Sequence, residues 1–223
     1  MSNPESFIDE VTDEVRRERL FGYLRRYGWI GILAVLAIVA AAAWMEWRKA
    51  QDNARAQAWG DAVMTALDAP DASAREAALA GVVAQGDQKA LTQLLAAGEI
   101  LADPAADQAA RARILEGLQA VAVDPSVSPV WQDLALLRWL TAPGAGIEPA
   151  QRRAGLESLA QPGRAFRPLA MEQIALERVA AGEVSAALAD YKAILDAGDT
   201  PSALRTRAGQ MIVVLGGDPS AQQ

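Results

Sequence analysis

Neither cysteine nor histidine occurs anywhere in the 223 residues. The double absence removes thiol nucleophiles, the usual general base near neutral pH and the commonest transition-metal ligands. Disulfides are likewise excluded as a source of stability. The frames Ser-x-x-Lys and Gly-x-Ser-x-Gly, which mark common serine nucleophiles, are missing. Gly144-Ala145-Gly146 lacks the further glycine of a phosphate-binding loop, and no strand precedes it. Carboxylates are plentiful, but they fall at helix caps and on solvated helix faces. No catalytic, cofactor-binding or metal-binding residue is predicted, and the chain does not read as an enzyme.

Aromatic residues are also few, at 5%, and no segment alternates apolar and polar residues at the period of a strand. Alanine, leucine, glutamine, glutamate and arginine fill most positions, a mixture that favours helix. The chain carries 21 basic and 28 acidic residues. Residues 1–26 hold five arginines and six acids, which leaves 16 basic against 22 acidic residues, a net of −6, for the rest. Such a domain repels phosphate backbones, so nucleic acid is not expected as a partner. No small-molecule substrate is expected either.

The stretch from Tyr27 to Met45 is 19 residues long and contains no charge. As a helix it spans about 28 Å at ~1.5 Å per residue, close to the ~30 Å hydrocarbon core of a bilayer. Tyr27 and Trp29 stand at one end, Trp44 and Trp47 at the other, where amphipathic rings settle at headgroup level. Residues 27–47 are therefore expected to form one membrane-spanning helix. Two other readings are weighed against it. A signal peptide has a shorter apolar run behind a short basic leader; Ala41 to Ala43 suit a cleavage site, but 26 acid-rich residues precede the run. A buried core helix is usually shorter and capped.

Five arginines (Arg16, Arg17, Arg19, Arg25 and Arg26) precede the span, while Arg48, Lys49 and Arg55 follow it closely. That bias keeps residues 1–26 in the cytoplasm and exports residues 48–223 across the inner membrane. Within the tail, Phe7, Ile8, Val11 and Val15 share an arc of about 100° on a helix. This allows an amphipathic helix lying on the inner membrane surface or against a cytosolic partner. A loosely ordered charged tail is the simpler reading, since Glu10, Asp13 and Glu14 spoil a basic face.

Beyond the span, helix runs to Leu67 and stops at Pro70. Further helices are expected over Ser73–Val83, from Asp87 to before Pro104, and over Ala105–Val121, Val130–Leu140, Pro149–Leu159, Pro168–Ala181 and Val184–Leu195. A last one starts at Pro201 and ends at Gly216-Gly217. Asp71 or Ser73 is the expected cap of the first of these, and Asp87 of the next. Short helices joined by short turns raise the question of a repeat. Gly182 and Gly216 are 34 residues apart, as are Ala175 and Gly209. In the 34-residue tetratricopeptide pattern small residues stand near positions 8, 15 and 20, with a large one near 24. Ala175, Gly182, Ala187 and Tyr191 fill those places, and Gly209 and Gly216 open the next unit. Small residues let the helices of a hairpin approach, so Gly209 is expected to pack against a neighbouring helix. An earlier unit would place Gly98, Ala110 and Ile114 likewise. Trp131 and Trp139, eight apart, read as core rather than as a ligand groove, and Trp59 reads as packing.

A charged tail, one span ending in Trp44-Met45-Glu46-Trp47 and an alanine-rich helical-repeat domain together resemble a known family. It is the ancillary subunit of the Sec translocon, grouped with a cell-division coordinator's tetratricopeptide-like domain. The tail segment from Phe7 to Leu20, Phe-Ile-Asp-Glu-Val-Thr-Asp-Glu-Val-Arg-Arg-Glu-Arg-Leu, is similar to that of alphaproteobacterial members. The resemblance implies a periplasmic domain that contacts translocon subunits, periplasmic chaperones or exported polypeptides. The fold class expected is all-α: a single span followed by a tetratricopeptide-like solenoid of hairpins. The alternative function is a structural scaffold of a division or cell-wall complex.

Overall fold

The computed structural model describes the backbone of residues 4–219 and the side chains of residues 25–219. Nine helices and no strand occur among the described residues. They are α1 (Pro4–Leu67), α2 (Ala72–Ala80), α3 (Asp87–Ala102), α4 (Gln108–Ala122), α5 (Pro129–Thr141), α6 (Pro149–Leu159), α7 (Arg167–Ala180), α8 (Val184–Asp196) and α9 (Ser202–Val214). The chain divides into two compact units, Met1–Ala58 and Trp59–Gln223. Residues 48–58, which follow the apolar stretch, are exposed throughout. The backbone of residues 4–26 is helical, which corrects the loosely ordered tail. No proline interrupts residues 5–27, and a single interior glycine, Gly22, weakens a helix without stopping it. The arc of Phe7, Ile8, Val11 and Val15 concerns side chains outside the described ones.

In the second unit the helix ends follow from local chemistry. The Asp71 carboxylate caps α2 by accepting from Ala74 N at 2.8 Å, and that of Asp107 caps α4 from Ala110 N at 2.6 Å. Each satisfies an orphan amide of a first turn. Proline opens α5, α6 and α7, where its missing N–H costs nothing. Gly182 and Gly216, at φ +77° and +81°, turn the chain after α7 and α9, a conformation that disfavours any side chain. Two expectations are corrected here. Asp87 does not cap α3; Gly86 holds that place with φ +54°, and Asp87 is already the first helical residue. And α4 starts at Gln108, not Ala105, because the Asp103 carboxylate takes the amide of Ala105 in a tight turn at 2.8 Å.

Each helix from α2 to α9 packs on its neighbours in sequence, with α3 also on α5 and α7 on α9. The core runs along this series. A first cluster joins Val63, Leu79, Ala97, Ile100, Ile114, Leu118 and Ala135; a second joins Leu137, Leu140, Leu156, Leu159 and Ala170; a third joins Ala175, Tyr191, Ile194, Leu204, Ala208 and Ile212. Alanine is the recurrent interface residue: Ala90, Ala110, Ala135, Ala170, Ala175, Ala187 and Ala208 are all essentially inaccessible. Small side chains bring the backbones close, and Ile, Leu and Tyr beside them fill the remaining space.

Gly209 departs from expectation. A Cβ built there meets nothing within 4 Å, so Gly209 packs against no neighbouring helix. Ala175, its counterpart one period earlier, is buried with Tyr191 and Ile194 of α8. After α9 the described residues supply no second helix to play that part. Gly98 is also open and exposed. Gly209→Ala is therefore expected to stabilise the domain by about 0.5–1 kcal/mol, through helix propensity alone. A shift of the urea midpoint upward at unchanged slope is the check; a downward shift would mean that the position is packed after all.

Candidate membrane and interaction surfaces

Helix α1 contains the segment Arg25–Leu67, long and apolar enough to cross a membrane, with its most apolar window entirely unburied. Ile30, Ile32, Leu33, Val35, Leu36, Ile38 and Val39 are all exposed. Left in water, each such side chain forfeits about 1.5–3 kcal/mol of burial, and a contiguous apolar surface of this kind marks an interaction site. Tyr27 and Trp29 lie at its N-terminal end and Trp44 and Trp47 at its C-terminal end, each with about half of its surface exposed or more. The Trp29 indole N–H donates to Arg26 O at 3.1 Å. The Trp44 and Trp47 rings lie 5.3 Å apart at a tilt of 43°, a spacing typical of aromatic pairs.

In the second unit the residues singled out by their 34-residue spacing meet around α7 and α8. Ala175, Ala187 and Tyr191 are fully buried, whereas Gly182 lies in the turn between the two helices and Gly216 in the turn after α9. Of the earlier unit, Ala110 and Ile114 are buried and Gly98 is not. Tyr191 is the largest side chain with no accessible surface, and its hydroxyl is buried without a hydrogen-bond partner. Burial, followed by the nearby charges of Glu172 and Asp190, pushes its phenol pKa up. Burial likewise raises the Asp190 carboxyl, against the opposing pull of Arg178, whose Nη1 donates to Asp190 Oδ1 at 3.0 Å.

The two glycines that do let helices approach escaped the repeat spacing. A Cβ on Gly117 would come within 2.1 Å of the Gln93 amide, and one on Gly155 within 2.8 Å of a Leu140 methyl. Nothing in their local sequence separates them from Gly98 or Gly209. Side-chain pairs also tie helices that are distant in sequence. Arg207 donates twice to Glu172, at 2.9 and 2.8 Å; Arg113 reaches Glu76 at 3.1 Å and Arg164 reaches Asp133 at 2.7 Å. The bidentate hydrogen bonds to Glu172 raise the Arg207 pKa. Asp87 accepts from Ser128 N at 2.7 Å and Ser128 Oγ at 2.9 Å, joining the start of α3 to the start of α5. Hydrogen bonds from Ser126 and then Lys89 hold the Asp124 carboxyl well below the usual range. These groups brace helices against one another.

Trp131 and Trp139 pack against the first core cluster, Trp139 also against the second, and Trp59 against the first. They are packing residues. One cleft of about 330 Å³ lies at the C-terminal ends of α3 and α5, lined by Ala97, Gly98, Leu101, Arg138, Thr141 and Ala142 among others. Among the described residues no group of three or more metal-ligating side chains comes together. No family model matches the chain, and neither the curated proteins nor the solved structures contain one similar to it.

Proposed function

We propose that this chain is a membrane-anchored protein-interaction module: residues 27–47 cross the inner membrane once, and the helical array beyond them works in the periplasm. The observation that carries the reading is the uncovered apolar surface of residues 27–47, bounded at both ends by aromatic rings. A bilayer supplies what no described part of the chain does, an apolar surrounding for those side chains. The arginines before the span place the N-terminus inside. The sequential packing of α2 to α9 suits a tetratricopeptide-like stack, in which each hairpin touches mainly its neighbours. On the resemblance to the ancillary Sec subunit, the partners are translocon subunits, periplasmic chaperones or exported chains. Tethering near an exit site lets weak contacts suffice, because confinement raises effective concentration.

The absence of cysteine makes the topology directly measurable. A single cysteine at Val83, 88% exposed, is expected to react with a membrane-impermeant maleimide in spheroplasts, while one in residues 1–26 reacts only after lysis. The reverse pattern would overturn the orientation. Photo-crosslinkers on exposed positions of α2 to α9 are expected to trap translocon subunits, chaperones or exported chains. Adducts only with division or cell-wall proteins would favour a scaffold instead.

A further inference from the structure

The cleft of about 330 Å³ at the C-terminal ends of α3 and α5 is lined by one charged residue, Arg138. From Trp59 onward the chain has eleven arginines. Among the described residues seven of them pair with carboxylates, and the side chains of Arg111 and Arg205 donate to backbone carbonyls. Arg138 and Arg152 make no such bond. The Arg152 Nε is shut inside the fold, whereas Arg138 is exposed and lies on the cleft wall. A guanidinium presents a planar fork of donors that matches the two oxygens of a carboxylate. In an acidic chain whose other arginines are engaged, this one is open to a ligand.

The α3 side of the cleft has the opposite polarity. Leu101 and Ala102, in the last turn of α3, line it. Asp103, which follows that turn, returns no amide into the helix, whereas the cap residues of α2 and of α4 to α9 all donate one back. The closing carbonyls of α3 therefore keep acceptor capacity beside the cleft, and the negative end of the helix dipole adds to it. The acids nearest in sequence are already engaged. Glu99 accepts from Arg75 at 2.6 Å, and the Asp103 carboxylate accepts from Ala105 N at 2.8 Å. Ala97 and Ala142, both buried, add an apolar lining. A Cβ built on Gly98 meets nothing within 4 Å, so no side chain fills the space there.

We infer that this cleft binds the C-terminal end of another polypeptide. The terminal carboxylate lies on Arg138, the last amide N–H points to the open carbonyls of α3, and a small apolar last side chain covers Ala97 and Ala142. A cation, free acceptors and a small apolar lining ask for a carboxylate, an N–H donor and a small apolar group close together. The final residue of a chain carries all three on one Cα. An internal Asp or Glu brings its carboxylate on a longer arm and continues the chain in both directions. A volume near the lower end of the ~300–1,000 Å³ of ligand clefts seats an end rather than a length of chain. A run of acids is opposed by the negative end of α3 and by the acidic chain itself. The inference rests on the reading of the array as a protein-interaction module, and names one site on it and the part of the partner it holds.

The test titrates the full chain, purified in detergent, into a fluorescein-labelled Gly-Ser-Gly-Ala-Val peptide and follows anisotropy. The peptide is used as the free acid, as its C-terminal amide, and as an amidated Gly-Ser-Asp-Ala-Val that carries an internal carboxylate instead. The expected result is saturable binding of the free acid, with both amides about tenfold to a hundredfold weaker, the range for losing a charge-assisted bidentate pair. Arg138→Gln is expected to weaken the free acid by the same factor and to leave the amides unchanged. Arg138→Lys, which keeps the charge but not the fork, falls between. Gly98→Leu, which places bulk in the open cleft, also abolishes binding, while Arg205→Gln on α9 changes nothing. Circular dichroism of the Arg138 variants stays at the parent value, since the side chain is exposed. Equal binding of acid and amide by the parent chain would overturn the inference without any variant. So would binding of the internal carboxylate as strong as that of the free acid, full affinity in Arg138→Gln, or no saturable binding up to about 1 mM. Site and module fail separately: partner crosslinks along α2 to α9 without peptide binding overturn this site alone.

Discussion

Replacing Tyr191 with alanine is expected to lower the unfolding free energy by about 3–5 kcal/mol, the range for truncating a fully buried aromatic. The ring has no accessible surface and sits among Ala175, Ile194, Leu204, Ala208 and Ile212, drawn from three helices. Removing it opens a cavity that those neighbours close only in part, since α7 and α9 are also held apart by the Glu172–Arg207 pair. Tyr191→Phe separates ring from hydroxyl. The hydroxyl is buried without a partner, and such a group costs about 1–3 kcal/mol of desolvation. The phenylalanine variant is therefore expected to be as stable as the parent or up to about 1 kcal/mol more stable. Urea unfolding of the three proteins at constant slope measures both effects. A large loss with phenylalanine would show that the hydroxyl has a partner, and a small loss with alanine would show that the third cluster collapses.

Gly155→Ala is expected to destabilise by about 1–3 kcal/mol, although alanine is the better helix former by up to about 1 kcal/mol. The new methyl would stand 2.8 and 2.9 Å from the two Leu140 methyls and 3.4 Å from its Cγ. Real carbon–carbon contacts lie near 3.5–4.0 Å, so Leu140 must move. It has no room: Leu140 is 1% exposed and locked in the second cluster with Leu137, Leu156 and Leu159. Steric cost therefore outweighs propensity. Gly98→Ala is the matched control, a helical glycine with open space above it, and is expected to stabilise instead. Opposite signs for the two substitutions in parallel thermal melts are the outcome that counts. Stabilisation by Gly155→Ala would mean that α5 and α6 separate easily, and that the contact contributes little.

Several features follow from residues read in order. The uncharged run from Tyr27 to Met45 needs no tertiary information, because length and the absence of charge are local properties. The helical class and many boundaries, such as Pro149 at the start of α6 and the glycine turns after α7 and α9, depend on backbone preferences within one turn. Ala175, Ala187 and Tyr191, picked out by their spacing, are buried in the fold. Other features depended on partners far along the chain. Asp87 looks like a cap, but in the fold it accepts from Ser128, 41 residues away. The pairs Glu76–Arg113, Asp133–Arg164 and Glu172–Arg207 span 31 to 37 residues and leave no local trace. Gly117, Gly155, Gly98 and Gly209 look alike in sequence, yet two are wedged against side chains and two face open space. Only the crossing of the helices separates them, because whether a missing Cβ matters depends on what the next helix places opposite it.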